Sequence, residues 1–138
     1  MTTTPVRRAA ASALVAATLG ASLLGVAGAP AQASGDDRVE RSGSCSGPGA
    51  ARWKLKAKSD DGGVEVEGEV DSNRAGQTWQ WVIKADGDLV ARGTSRTRGP
   101  SGSFSVERRA RNGAGTELFT FRAERGGSGE VCAGSVRF

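Results

Sequence analysis

From about residue 39 onward the chain alternates apolar and polar residues with a period of two. In "WKLKAK" Trp53, Leu55 and Ala57 share one face, and in "VEVEGEV" Val64, Val66 and Val70 do so with Gly68 among them. "TWQWVIK" aligns Trp79, Trp81 and Ile83, and "SFSVE" pairs Phe104 with Val106. "ELFTFRA" aligns Phe119, Phe121 and Ala123, and "VCAGSVRF" aligns Cys132, Val136 and Phe138. Such alternation is the signature of strands with one face buried. Turn-forming clusters, "SDDG", "SNRAG", "ADG", "RGPSG", "RNGAG" and "RGGSG", separate the runs, and no stretch of this region carries a helical stripe. The pattern predicts eight strands, at 39–45, 51–58, 63–71, 77–84, 88–97, 102–109, 117–125 and 130–138. Short strands at this spacing predict an all-β antiparallel sandwich or barrel of about seven or eight strands.

Pairing inward residues with inward residues predicts registers as well. A four-residue "SDDG" loop sets Lys58 against Gly63, Ala57 against Val64, Leu55 against Val66 and Trp53 against Gly68. Lys56 then meets Glu65, Lys54 meets Glu67 and Arg52 meets Glu69, so the basic row "RWKLKAK" becomes half of an ion-pair ladder and not a nucleic-acid surface. A three-residue loop, Ala85-Asp86-Gly87, sets Lys84 against Asp88, Ile83 against Leu89, Trp81 against Ala91 and Trp79 against Gly93. The last hairpin closes with Arg125 opposite Glu130 around "GGSG", with Phe121 against Gly134 and Phe119 against Val136.

The first 33 residues break this pattern. "MTTTPVRR" is polar with Arg7 and Arg8, an uncharged apolar run follows, and "PAQA" supplies small residues, Ala31 and Ala33, on either side of Gln32. This is the three-part layout of a cleavable secretory signal helix, expected to end at Ala33. Glycines 20, 25 and 28 weaken the run as a membrane anchor. The residues after Arg7 and Arg8 match a twin-arginine signal poorly, and no Cys stands at the cleavage point to take a lipid. The expected organisation is a signal peptide at 1–33, a short linker at 34–38 and a sandwich at 39–138, released outside the cell as a monomer with no membrane attachment. Of the 19 basic and 15 acidic residues, Arg7 and Arg8 lie in the leader, so its removal lowers the net charge from +4 to +2. Cys45 and Cys132, the only cysteines, are expected to form one disulfide in an exported chain.

The inventory of reactive groups is short. The chain holds no His and no Tyr, and bridged cysteines leave no thiol. Nucleophile-histidine arrangements and histidine metal sites are thereby excluded. Asp60 and Asp61 belong to a tight turn, and Glu65, Glu67 and Glu69 have lysine and arginine partners, so no carboxylate pair stands free for hydrolysis. "DDG" lacks the ordered oxygen series of a calcium loop. Neither catalytic residue, metal nor cofactor is expected. Trp53, Trp79 and Trp81 would stack on sugars if exposed, but the small residues set opposite them predict a core role for at least two of the three.

Arginine is the remaining candidate. Between Arg92 and Arg111 there are six arginines, and Glu107 is the sole acidic residue. Arg92, Arg96, Arg98, Arg108 and Arg109 are predicted to form one positive patch, suited to a cell-wall or extracellular polyanion. The competing explanation is an edge kept soluble by charge.

The order of elements, with "QTWQWVIKADGDLVARG" third after the "WKLKAK" and "VEVEGEV" pair and "SGSFSVERR", "NGAGTELFTFRAE" and "GEVCAGSVRF" closing the chain, resembles an immunoglobulin-like sandwich. The chain departs from antibody domains in lacking cysteines in "VEVEGEV" and "FTFRA" and in lacking the corner tyrosine. The whole also looks like small secreted proteins of actinobacteria with no assigned activity. That resemblance implies a fold and a compartment and brings no site residues with it. The expected function is a secreted, non-enzymatic binding or structural protein. The alternatives are a secreted protease inhibitor, which would present a rigid braced loop, and a carbohydrate- or polyanion-binding module.

Overall fold

The computed structural model describes residues 37–138; the expected signal peptide lies outside the described residues. Eight strands follow in order: β1 (Arg38–Ser44), β2 (Arg52–Asp60), β3 (Gly63–Asp71), β4 (Thr78–Ala85), β5 (Asp88–Arg96), β6 (Ser103–Arg111), β7 (Leu118–Arg125) and β8 (Val131–Arg137). They form two antiparallel four-stranded sheets, β1-β2-β3-β6 and β5-β4-β7-β8, stacked as a sandwich. The first strand begins one residue inside the stretch expected to be linker. Among the described residues no helix is long and apolar enough to cross a membrane.

The alternating residues meet between the sheets. Leu55, Val64, Val66 and Val70 from the first sheet and Trp79, Ile83, Phe119 and Phe121 from the second are essentially inaccessible. Large rings enter spaces left by glycine. A Cβ on Gly68 would stand 2.5 Å from the Phe121 ring, one on Gly93 2.7 Å from Trp81, and one on Gly134 2.2 Å from Trp53. Trp79 and Trp81 are core residues as expected, while Trp53 is half-buried, spanning from Gly43 on β1 to Gly134 on β8.

The last hairpin has the predicted register, with Phe121 facing Gly134, Phe119 facing Val136 and Arg125 opposite Glu130. The other two differ. β2 and β3 are joined by the two residues Asp61-Gly62, so Lys58 faces Glu65, Lys56 faces Glu67, Lys54 faces Glu69 and Arg52 faces Asp71. Inward, Ala57 faces Val66, Leu55 faces Gly68 and Trp53 faces Val70. Asp61 and Gly62 both have positive φ, 43° and 77°, the geometry of a type I′ hairpin turn whose twist matches that of the strands. A displacement by two residues keeps every side chain on its face, so the alternation cannot distinguish the two registers and the turn chooses. Asp86-Gly87 repeats this geometry between β4 and β5, with φ of 49° and 90° and Ala85 opposite Asp88. A bulge then absorbs Val90, so that Ile83 faces Ala91, Trp81 faces Gly93 and Trp79 faces Ser95.

The ion-pair ladder exists, two residues along from the predicted register. Lys54 reaches Glu69 at 2.7 Å, Lys58 reaches Glu65 at 2.9 Å, and Lys56 bonds to Glu67, which also accepts from the Ser105 hydroxyl at 3.1 Å. The Lys56 hydrogen bond holds the Glu67 carboxyl below its ordinary value against the opposing effect of burial. Glu69 and Glu65 correspondingly raise Lys54 and Lys58 through their hydrogen bonds.

The sheets are stapled on one side. Cys45, just beyond β1, is bonded to Cys132 on β8, and Ser46 pairs with Val131 beside it. The buried Glu130 carboxylate supports this corner, accepting from the Ala51 N–H at 3.1 Å and forming an ion pair with Arg125, whose Nε lies 3.1 Å away.

Two outcomes follow for stability. Replacing both Cys45 and Cys132 with Ser opens a bridge of sequence separation 87, and denaturant unfolding is expected to register a loss of up to about 4 to 5 kcal/mol. For Glu67, a depressed carboxyl contributes stability that is present above 4.5 and lost as pH falls through that value and on through the folded one. Glu67→Gln is therefore expected to cost about 0.2–1 kcal/mol at neutral pH. The difference from the parent should shrink steadily in acid, read as chemical-denaturation midpoints across a pH series.

Candidate functional site: an arginine and hydroxyl cleft beside β5

β5 and β6 are edge strands of different sheets and lie beside one another on the side of the sandwich away from the disulfide. The five arginines singled out from the sequence all belong to this region, and the structure sorts them into two sets. Arg109 projects from the outer face of the first sheet onto the β2–β3 turn. There Nη1 bonds to the Asp60 carboxylate at 2.9 Å and Nη2 to the Asp60 and Asp61 carbonyls at 2.7 and 2.8 Å. Arg108 lies with its guanidinium 5.1 Å from the Trp81 ring centroid and donates to the Glu107 carbonyl at 2.6 Å. It covers an indole that would otherwise meet water at the sandwich edge. Both have structural partners.

Arg92, Arg96 and Arg98 have no carboxylate partner among the described residues. Arg92 and Arg96 alternate with Thr94 on the outward face of β5, and Arg98 follows at the start of the turn into β6; all three are exposed. Arg96 and Arg98 line a cleft of about 560 Å³ at the β5 edge. Its other lining residues are Phe104 and the hydroxyl-bearing Thr78, Thr94, Ser95, Ser103 and Ser105, with no acidic residue among them.

The hydroxyls have defined hydrogen-bonding capacity. Ser95 Oγ accepts the Trp81 indole N–H at 3.0 Å, which leaves its proton to donate. Ser105 has given its proton to Glu67 and retains acceptor capacity. Two guanidinium groups with hydroxyl donors nearby can hold an oxyanion by charge-assisted hydrogen bonds and can bond to neutral hydroxyls beside it.

Between Arg96 and Arg98 the chain is held by a buried polar clasp between the β3–β4 and β5–β6 turns. Thr97, 1% exposed, donates from Oγ1 to the Arg74 carbonyl at 2.6 Å and accepts from the Gln77 N–H at 2.9 Å. Its backbone exchanges bonds with Gly76 and Gln77. Ser72 Oγ bonds to the Gly102 carbonyl at 2.9 Å, and Arg98 and Ser103 pair across the turn. Since Thr97 separates Arg96 from Arg98, fixing it fixes the origin of both side chains.

The sequence reading singled out the arginines and missed the hydroxyls, although the alternation Arg92, Thr94, Arg96 marks one outward row. Ser103 and Ser105 are brought to the same cleft only by the adjacency of two sheet edges, which no local pattern encodes. Against protein-family models, curated proteins and solved structures, the chain has no match.

Thr97→Val keeps the shape of this side chain, orphans the Gln77 N–H and leaves the Arg74 carbonyl with the Ser72 hydroxyl alone. The expected cost is about 1–3 kcal/mol of stability, read by thermal and denaturant unfolding, with faster amide exchange confined to residues 72–77 and 97–103.

Proposed function

We propose that this protein is a secreted, non-catalytic binding module whose ligand is anionic and docks at the Arg96–Arg98 cleft. The observation that carries the reading is a cleft lined by two guanidinium groups and five hydroxyls with no carboxylate. It stands in a protein whose other long basic row, on β2, is matched residue by residue by acids on β3. An edge kept soluble by charge needs exposed cations. It does not need them gathered around hydroxyl groups over a braced turn, and that concentration favours a ligand.

The disulfide supports release into an oxidising compartment, in keeping with the signal-like leader. The strand partition supports the immunoglobulin-like reading. With β2 to β8 taken as A, B, C, C′, E, F and G, strands A, B and E share one sheet and C′, C, F and G the other, and β1 adds an outer strand beside A. The disulfide then ties the added strand to G.

Arg96→Gln together with Arg98→Gln is expected to abolish retention on an immobilised polyanion such as heparin while shifting the melting temperature little, because both side chains are exposed. Retention of the parent protein should fall steeply with salt, since exposed charges are screened over about 8 Å at physiological ionic strength. A parent protein that passes through the column unretained at low salt would remove the reading.

A further inference from the structure

The two sheets carry their charge in opposite ways. The outward face of the first is the paired ladder described above. The outward face of the second presents Lys84, Arg92, Arg96, Arg122 and Arg137 against the single carboxylate of Glu124. Arg122 spends its charge on Glu124, at 2.5 Å. Lys84, Arg92, Arg96 and Arg137 make no ion pair among the described residues.

These cations have a defined layout. Register places Arg92 and Arg122 on either side of Val82, in one row across three strands. That separates their origins by two strand spacings, about 10 Å. Along β5, Arg92 and Arg96 are four residues apart, about 13 Å. A second concavity, of about 670 Å³, lies over this face, lined by Gln80, Val82, Lys84, Arg92, Arg122 and Glu124. Thr94 borders both this groove and the Arg96–Arg98 cleft, so the two are continuous along β5.

Resting on the cleft reading above, we infer that the ligand is a linear acidic polysaccharide, one end seated between Arg96 and Arg98 and the chain crossing Thr94 onto the face around Arg92 and Lys84. Cations at both ends of the track and none in the middle row of Thr94 and Gln80 suit a polymer with regularly placed sulfate or carboxylate groups better than a small anion. The hydroxyls of the cleft and the amide of Gln80 suit a chain that carries sugar hydroxyls between its charges. Single-stranded nucleic acid is held by stacking its bases on exposed aromatic rings. Here Trp79 and Trp81 are buried, and the Trp81 ring is under Arg108.

The test is calorimetric titration at low salt with heparin-derived oligosaccharides from disaccharide to dodecasaccharide, and with an oligodeoxynucleotide of the same charge as the longest. Affinity is expected to rise with length and then level off. Arg96→Gln with Arg98→Gln should weaken every length. Lys84→Gln with Arg92→Gln should spare the disaccharide and weaken the dodecasaccharide roughly tenfold, the size of two exposed charge contacts. Glu124→Gln, which removes the one repulsive group and frees Arg122, should tighten the dodecasaccharide and leave the disaccharide unchanged. Equal affinity for all lengths, with no effect of Lys84→Gln and Arg92→Gln, overturns the extended track and leaves the cleft standing. Absence of binding by any oligosaccharide overturns both. An oligodeoxynucleotide bound as tightly as the dodecasaccharide overturns the sugar class. All substituted side chains are exposed, so unchanged melting temperatures are expected and separate loss of contact from loss of fold.

Discussion

The structure depends on rings meeting glycines across the space between two sheets. With one disulfide and about a hundred residues, the sandwich has few large side chains with which to fill its interior, and it places them where the opposing backbone carries no side chain. Phe121 on β7 occupies the space above Gly68 on β3 and Trp53 on β2 that over Gly134 on β8, while within the second sheet Trp81 on β4 fills that beside Gly93 on β5. Each contact leaves less than 3 Å for an added methyl group; the two that cross between the sheets set their local separation, and the one within the second sheet fits the pairing of β4 with β5. Because inward and outward residues alternate, the same contacts determine what is displayed outside: Gly93 under the indole puts Arg92 and Thr94 on the surface.

Most of this architecture was legible in the sequence, and the parts that were not share a physical cause. Existence and extent of the strands followed from alternation, since burying one face of a sheet leaves its mark on every second residue. The pairing of Cys45 with Cys132 followed from there being only two cysteines. Register was legible for β7 and β8 and misread for β2 with β3 and β4 with β5, because a two-residue displacement preserves every face and only the turn distinguishes it. The Asp-Gly pairs at 61–62 and 86–87 held that information, as both positions require positive φ. The bulge at Val90 had no local signal. At the candidate site, the charge imbalance between Arg92 and Arg111 pointed to the edge where β5 and β6 lie side by side. Which arginines are engaged was settled by distant partners: Asp60 for Arg109 and Trp81 for Arg108.

The distribution of charge is a property of the fold more than of the composition. A domain with nearly balanced charge would ordinarily have little long-range preference for anions. Here Glu65, Glu67 and Glu69 form a row on β3 where lysines meet them at hydrogen-bonding distance, and the field of both rows beyond that face is largely cancelled. The opposite face retains its cations. The sandwich thus separates a neutral side from a positive one, and a small net excess becomes a directional one.

The position of the disulfide has a mechanical consequence. Cys45 follows β1 and Cys132 lies near the start of β8, so a covalent link joins the two ends of the sandwich and encloses β2 to β7. Tension applied to the chain through its two ends passes from Cys45 to Cys132 through the sulfur atoms and never reaches the strands between them. Only β1 and the remainder of β8 can be peeled away. The ring-on-glycine contacts from β2 to β7, and the whole arginine and hydroxyl edge, lie within the unloaded loop. Pulling on the two ends of the domain would strain β1 and the end of β8 and leave the strands between them in place.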